Sequence, residues 1–111
     1  MEMIKAGKEQ GAVIIDVKGR IDSVAAPEFE KQLGDFIDQG ETCIILNLCE
    51  LDYISSAGLR CILVAAKNLD GQKGKIALAA AKPSVMKVFE ISGLAVIIPI
   101  TNSIETALAQ M

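Results

Sequence analysis

One stretch of this chain constrains its fold more than any other. The apolar run Cys43-Ile44-Ile45-Leu46-Asn47-Leu48 reads as a buried strand. Shortly after it, Leu51-Asp52-Tyr53-Ile54-Ser55-Ser56-Ala57-Gly58-Leu59-Arg60 opens a segment of helical period, with Leu59, Ile62, Leu63, Ala66 and Leu69 falling on one face. A strand therefore hands over to a helix through two adjacent serines. A hydroxyl at that point can accept from the free N–H groups of the first helical turn, or it can stay exposed and take a phosphate. The two serines can also divide these tasks, one capping while the other faces solvent.

The same alternation runs through the rest of the chain. Met3–Lys5 and Gly11–Lys18 are expected strands joined through Gly7-Lys8-Glu9-Gln10, with Gly19 breaking the pattern after them. A helix is expected from about Ala25-Ala26-Pro27, with proline in its first turn, a core stripe of Phe29, Leu33, Phe36 and Ile37, and a stop at Gly40. Asp70-Gly71-Gln72-Lys73-Gly74 is a turn cluster. Lys75-Ile76-Ala77-Leu78-Ala79 is an expected interior strand of small residues, and Pro83 is expected to start a helix that Gly93 ends. Val96-Ile97-Ile98 is expected to be a short edge strand terminated by Pro99. Asn102, with Glu105 three residues on, reads as a capping box for a last helix carrying Ile104, Ala107 and Leu108. The expected order is β-β-α-β-α-β-α-β-α. This is one α/β domain over residues 1–111, with a mixed, mostly parallel sheet of four to five strands, about four helices and right-handed crossovers. Turns after strand C-termini are the natural functional surface of such a sheet.

Composition narrows the function. Histidine is absent, which removes the commonest general base, the usual Ser and Cys triads and the commonest metal ligand. Aromatics at 4% and a net charge of −3 argue against a base-stacking or phosphate-backbone-binding surface. No apolar run approaches the roughly 20 residues of a membrane span, so a cytoplasmic, membrane-free setting is expected. The three cysteines are too few and wrongly spaced for a disulfide framework or a zinc site, and are expected as buried reduced thiols.

The run Asn47-Leu48-Cys49-Glu50-Leu51-Asp52-Tyr53-Ile54-Ser55-Ser56-Ala57-Gly58-Leu59 closely resembles the signature of STAS domains, and more narrowly of the bacterial anti-sigma factor antagonists. The likeness extends over the whole chain, including Gly19-Arg20-Ile21-Asp22 before the first helix. It implies a phosphorylatable serine, which falls on Ser56 in the family register, with Ser55 the alternative acceptor. Ser55 stands where the family often has Asp, Ala57 where it often has Ser or Thr, and Arg60 where some relatives carry Gly.

The resemblance further implies a partner-binding surface of Asp22, Ser55, Ser56, Ala57, Gly58 and Arg60. It implies an anti-sigma factor that is also an ATP-dependent serine kinase, a PP2C-type phosphatase, no cofactor or metal on this chain, and a monomer when free. The residues allow plainer roles beside these. Asp22 can cap the first helix, Asn47 can hold the turn, Gly58 can let helix and sheet approach, and Tyr53 and Ile54 can be interface anchors or core. The competing class is a phosphorylation-independent STAS interaction or small-ligand module. A hydrolase using Ser56 as nucleophile lacks both a base and a G-x-S-x-G elbow.

Overall fold

The computed structural model describes all 111 residues. Two strands open the chain, β1 (Glu2–Glu9) and β2 (Ala12–Ile21), followed by helix α1 (Ala26–Asp38) and strands β3 (Cys43–Asn47) and β4 (Leu51–Ile54). Next come α2 (Ser56–Gly71), β5 (Lys75–Ala79), α3 (Pro83–Ser92), the single turn α4 (Leu94–Ile97), β6 (Ile100–Thr101) and α5 (Ile104–Gln110). The strands lie in the order β1-β2-β3-β5-β6, antiparallel only at β1–β2, with β4 pairing the far end of β2 off this path.

Alternation along the strands builds two cores. Val13, Ile15, Val17, Ile44, Leu46, Ile76 and Leu78 face α1, α2 and α3 together with Phe29, Ile62 and Phe89. Their neighbours Ala12, Ile14, Ile45, Ala77 and Ala79 face the opposite side, under Ala107 and Leu108 of α5. The small residues of β5 let that short helix lie close to the sheet.

Six strands and five helices replace the expected four to five strands and about four helices, and each difference has a physical cause. The hairpin turns at Gln10 and Gly11, both at positive φ, so Gly7–Glu9 belong to β1 rather than to a loop. Gly7–Glu9 are half-buried or exposed and carry no hydrophobic signal to read, unlike Met3–Lys5 in the first half of the strand. Leu51–Ile54 is a strand, not the lead-in to a helix: Leu51 and Ile54 are buried while Asp52 and Tyr53 between them are exposed, a pattern without simple alternation. Val96–Ile98 is not a strand. Leu94 and Ile98 are the buried pair, one helical turn apart, and Ile98 N–H donates to the Leu94 carbonyl at 2.9 Å. Strand pairing resumes only beyond Pro99.

The cap of α5 is Ser103 rather than Asn102, its Oγ accepting from Thr106 N–H at 3.1 Å. On α2 the buried face is Gly58, Cys61, Ile62, Ala65 and Leu69, rotated from the expected stripe, and on α1 Phe36 is only half-buried. Gly40 and Gly93 follow α1 and α3 at positive φ. All three cysteines are free thiols, but only Cys61 is buried; Cys49 is exposed. No helix is long and apolar enough to cross a membrane.

Candidate functional site

The C-terminal ends of β2 and β4 run side by side, pairing Arg20 with Tyr53 and Ile21 with Ile54. Ser55 N–H continues this ladder by donating to the Ile21 carbonyl at 2.8 Å. Chain direction then changes at Ser55, which is extended at φ −88°, ψ 170°, and α2 begins. Asp22 and the Ser55-Ser56 pair are thus placed beside each other by backbone pairing alone.

The two serines carry different loads. Ser55 is half-buried; its Oγ accepts from Gly58 N–H at 3.2 Å and its carbonyl accepts the first helical bond, from Leu59 N–H. It is the N-cap of α2. Ser56 is the first helical residue, exposed, and its hydroxyl makes no hydrogen bond within the protein. Ala57 is half-buried against the main core. Gly58 is buried, and a Cβ there would come within 2.8 Å of both Ile21 Cγ2 and Ile54 Cγ1. Only glycine lets the head of α2 sit this close to the two strand ends. Arg60 lies one turn beyond Ser56 on the same helical face, exposed and without an ion pair.

Asp22 uses one carboxylate oxygen structurally: Oδ1 accepts from Val24 N–H at 3.1 Å and Ala25 N–H at 2.8 Å, shaping the entry to α1. Its second oxygen has no hydrogen-bond partner and its side chain is half-buried. Cys61 Sγ–H donates to the Ala26 carbonyl at 3.4 Å, tying α2 to the start of α1, and burial pushes this thiol's pKa up. Asn47 holds the loop after β3. Its amide donates to Asp16 Oδ1 at 2.9 Å and its side-chain oxygen accepts from Cys49 N–H at 3.3 Å. The loop from Asn47 to β4 is held in this way from beneath.

Several features of this surface carry no sequence signal of their own. The Arg20 guanidinium stacks over the Tyr53 ring, 4.5 Å from its centroid. Tyr53 is therefore a surface residue and Ile54 a core one. Asp52 pairs with Lys82 at the start of α3, and Glu50 pairs with Lys18 at 3.0 Å. The hydrogen bond to Asp52, aided by its charge, holds the Lys82 pKa up, as Glu50 does for Lys18. Val24 projects into solvent at 86% exposure. This end of the molecule thus carries two ion pairs, an apolar knob, an aromatic–cation stack, the unpaired Arg60, one free Asp22 oxygen and the Ser56 hydroxyl. No cluster of residues here or elsewhere has the makings of a metal site.

A family model for the STAS domain matches residues 3–107. BtrV of Bordetella bronchiseptica, named as a candidate anti-sigma factor antagonist, is 44% identical over 102 residues, which cover 92% of this chain and 88% of BtrV. Among solved structures, the anti-sigma factor antagonist SpoIIAA in its unphosphorylated form superposes with a TM-score of 0.78 at 27% identity, covering 98% of this chain and 93% of that one. The Bacillus cell fate determinant SpoIIAA in its phosphorylated form gives 0.69 at 26% identity, covering 98% and 96%.

Proposed function

The chain belongs to the STAS domain family, and we propose that within it this protein is an anti-sigma factor antagonist switched by phosphorylation of Ser56. The observation that carries this reading is the division of labour at the head of α2: Ser55 caps the helix and Ser56 is left with a free, exposed hydroxyl. BtrV and SpoIIAA, similar over nearly the full chain, bear the antagonist name, and SpoIIAA exists in phosphorylated and unphosphorylated forms.

In the proposed cycle the unmodified protein, a monomer in the cytoplasm, binds an anti-sigma factor and so releases a sigma factor. The partner is also a serine kinase. Ser56 Oγ attacks the γ-phosphorus of ATP held by that partner, the hydroxyl proton departs to a base of the kinase, and ADP leaves. A PP2C-type phosphatase later hydrolyses the phosphoserine with water, returning the hydroxyl and releasing inorganic phosphate. This chain contributes the acceptor and the docking surface, with Asp22, Ser55, Ala57, Gly58 and Arg60 around it.

The electrostatics suit a switch that leaves the fold intact. A phosphate on the first helical residue adds about −1.5 to −2 charge where the helix dipole favours it. Arg60, one turn along the same face, is a free cation within reach of that group. Across a docked interface the same charge must be desolvated, and a penalty of about 3 kcal/mol weakens binding roughly a hundredfold.

The test is to incubate the protein with its anti-sigma partner and ATP, then locate the phosphate by mass spectrometry. The expected product is phosphorylated on Ser56, and Ser56→Ala takes up none. Phosphate found on Ser55, or equal incorporation into Ser56→Ala, overturns the assignment. A chain that binds the partner but never accepts phosphate would instead be a phosphorylation-independent interaction module.

A further inference from the structure

The cations around the serine end are engaged, with one exception. Lys18 pairs with Glu50 at 3.0 Å, Lys82 pairs with Asp52, and the Arg20 guanidinium lies over the Tyr53 ring. Arg60 is exposed and its side chain has no ion pair. Glu30 of α1 acts on the same Cys61 thiol as Arg60, with opposite sign, yet the two do not pair with each other.

Helix period puts this spare charge on one ridge with Ser56. Along the head of α2 the exposed residues are Ser56, Arg60 and Val64, and every residue between them is buried or half-buried. They are spaced four apart, so successive side chains rise next to each other, about 5–6 Å apart at Cβ. Val64 carries no polar group. Ser56 and Arg60 are therefore the polar pair of the ridge, and a protein docked over Ser56 also covers Arg60. Covering a guanidinium without an anion is costly, because nothing replaces its hydration.

We propose that Arg60 is the specificity residue that couples docking to the state of Ser56. It pairs with a carboxylate of the docked protein while Ser56 is unmodified, and with the phosphoserine afterwards. This rests on the reading of Ser56 as the phosphorylated switch. A phosphate there carries more charge than a carboxylate and presents three acceptor oxygens, on the same chain and one turn from Arg60. Its geometry matches the paired N–H donors of the guanidinium fork. Modification then acts twice: it places an anion in the interface, and it withdraws the cation that the partner's carboxylate needs.

A thermodynamic cycle tests this, with phosphoserine encoded at position 56 so that no kinase is required. The dissociation constant of the anti-sigma partner is measured for wild type and Arg60→Gln, each with serine and with phosphoserine at that position. Arg60→Gln, an exposed change that leaves circular dichroism unaltered, is expected to weaken the unmodified protein about tenfold and the phosphorylated one less than about twofold. The penalty of phosphorylation thereby falls from roughly a hundredfold in wild type to roughly tenfold in Arg60→Gln. In the full chain alone, the Arg60 Nε–H resonance is expected to shift when phosphoserine replaces Ser56. Equal weakening of both forms by Arg60→Gln, or an Arg60 resonance that ignores the phosphoserine, would overturn the proposal and leave Ser56 as the switch. Partner binding unaffected by phosphoserine in wild type would overturn the switch itself, and the proposal with it.

Discussion

The two ends of α2 are built from the same parts and left with opposite chemistry. At its head, strand ends, caps and ion pairs engage most polar groups, and the Ser56 hydroxyl, the second Asp22 oxygen and the Arg60 guanidinium remain unengaged. At its tail, a proline stops the sheet early and leaves an apolar trough with Lys67, Asp70 and Lys75 at its rim. The head of α2, and the turn that follows its tail, are each pressed onto their neighbours through a glycine. Gly58 lies against Ile21 and Ile54, and Gly74 lies against the main chain at Thr42. A helix held at both ends in this way acts as a rigid strut. What each end can do is then set by the few groups its surroundings fail to satisfy.

The sharpest way to break this comparison is to force the pinned ends apart. Gly74→Ala places a methyl group on the Thr42 carbonyl, which is backbone and cannot move aside, and is expected to cost about 3 kcal/mol in urea denaturation. Gly58→Ala presses on two isoleucine side chains that can shift, and the helix gains from losing a glycine, so a smaller loss of about 1–2 kcal/mol is expected. Equal or reversed losses would show that the strut is not clamped as described. Next in size is the contrast between the serines. Ser55→Ala removes the cap and is expected to cost about 1 kcal/mol, against less than about 0.5 kcal/mol for Ser56→Ala. A larger loss at Ser56 in the same denaturation experiment would make it the structural serine.

The smallest effect concerns Glu41, beside the hairpin. Its hydrogen bond to Lys8, and the charges of Lys8 and Lys5, lower its pKa despite the opposing effect of burial. A carboxyl lowered in the folded state stabilises the protein above its unfolded pKa, and that contribution is lost as pH falls through the folded value. Glu41→Gln should therefore flatten the acid limb of a stability–pH curve while leaving Lys82 and the serine end untouched. An acid limb as steep as wild type would assign that limb to other carboxylates.

Sequence patterning was a good guide wherever one face was plainly buried. β2, β3 and β5, α1 with its proline, and the turns at Gly40 and Gly93 all follow from period and turn chemistry. It was a poor guide where exposure and burial depend on a distant partner. β1 is found where Met3–Lys5 is expected, but its solvated half Gly7–Glu9 hides its strand character, β4 exists because β2 offers a free edge beyond Gly19, and the run Val96-Ile97-Ile98 has strand-like residues on a helical turn. At the serine end, local sequence posed the choice between cap and acceptor without deciding it. The bond from Gly58 N–H to Ser55 Oγ assigns the cap, something no spacing could reveal between adjacent identical residues. The Arg20–Tyr53 stack and the Asp52–Lys82 pair join segments about 30 residues apart and leave no local trace.

The central claim is that negative charge at Ser56 empties the partner interface while leaving the domain folded. Its most direct measurement is the dissociation constant of the anti-sigma factor for the unmodified and the Ser56-phosphorylated protein, by calorimetry, alongside circular dichroism of both. The account predicts roughly hundredfold weaker binding on phosphorylation and superimposable spectra. Equal affinity, or a phosphorylated chain that has lost its fold, would contradict it.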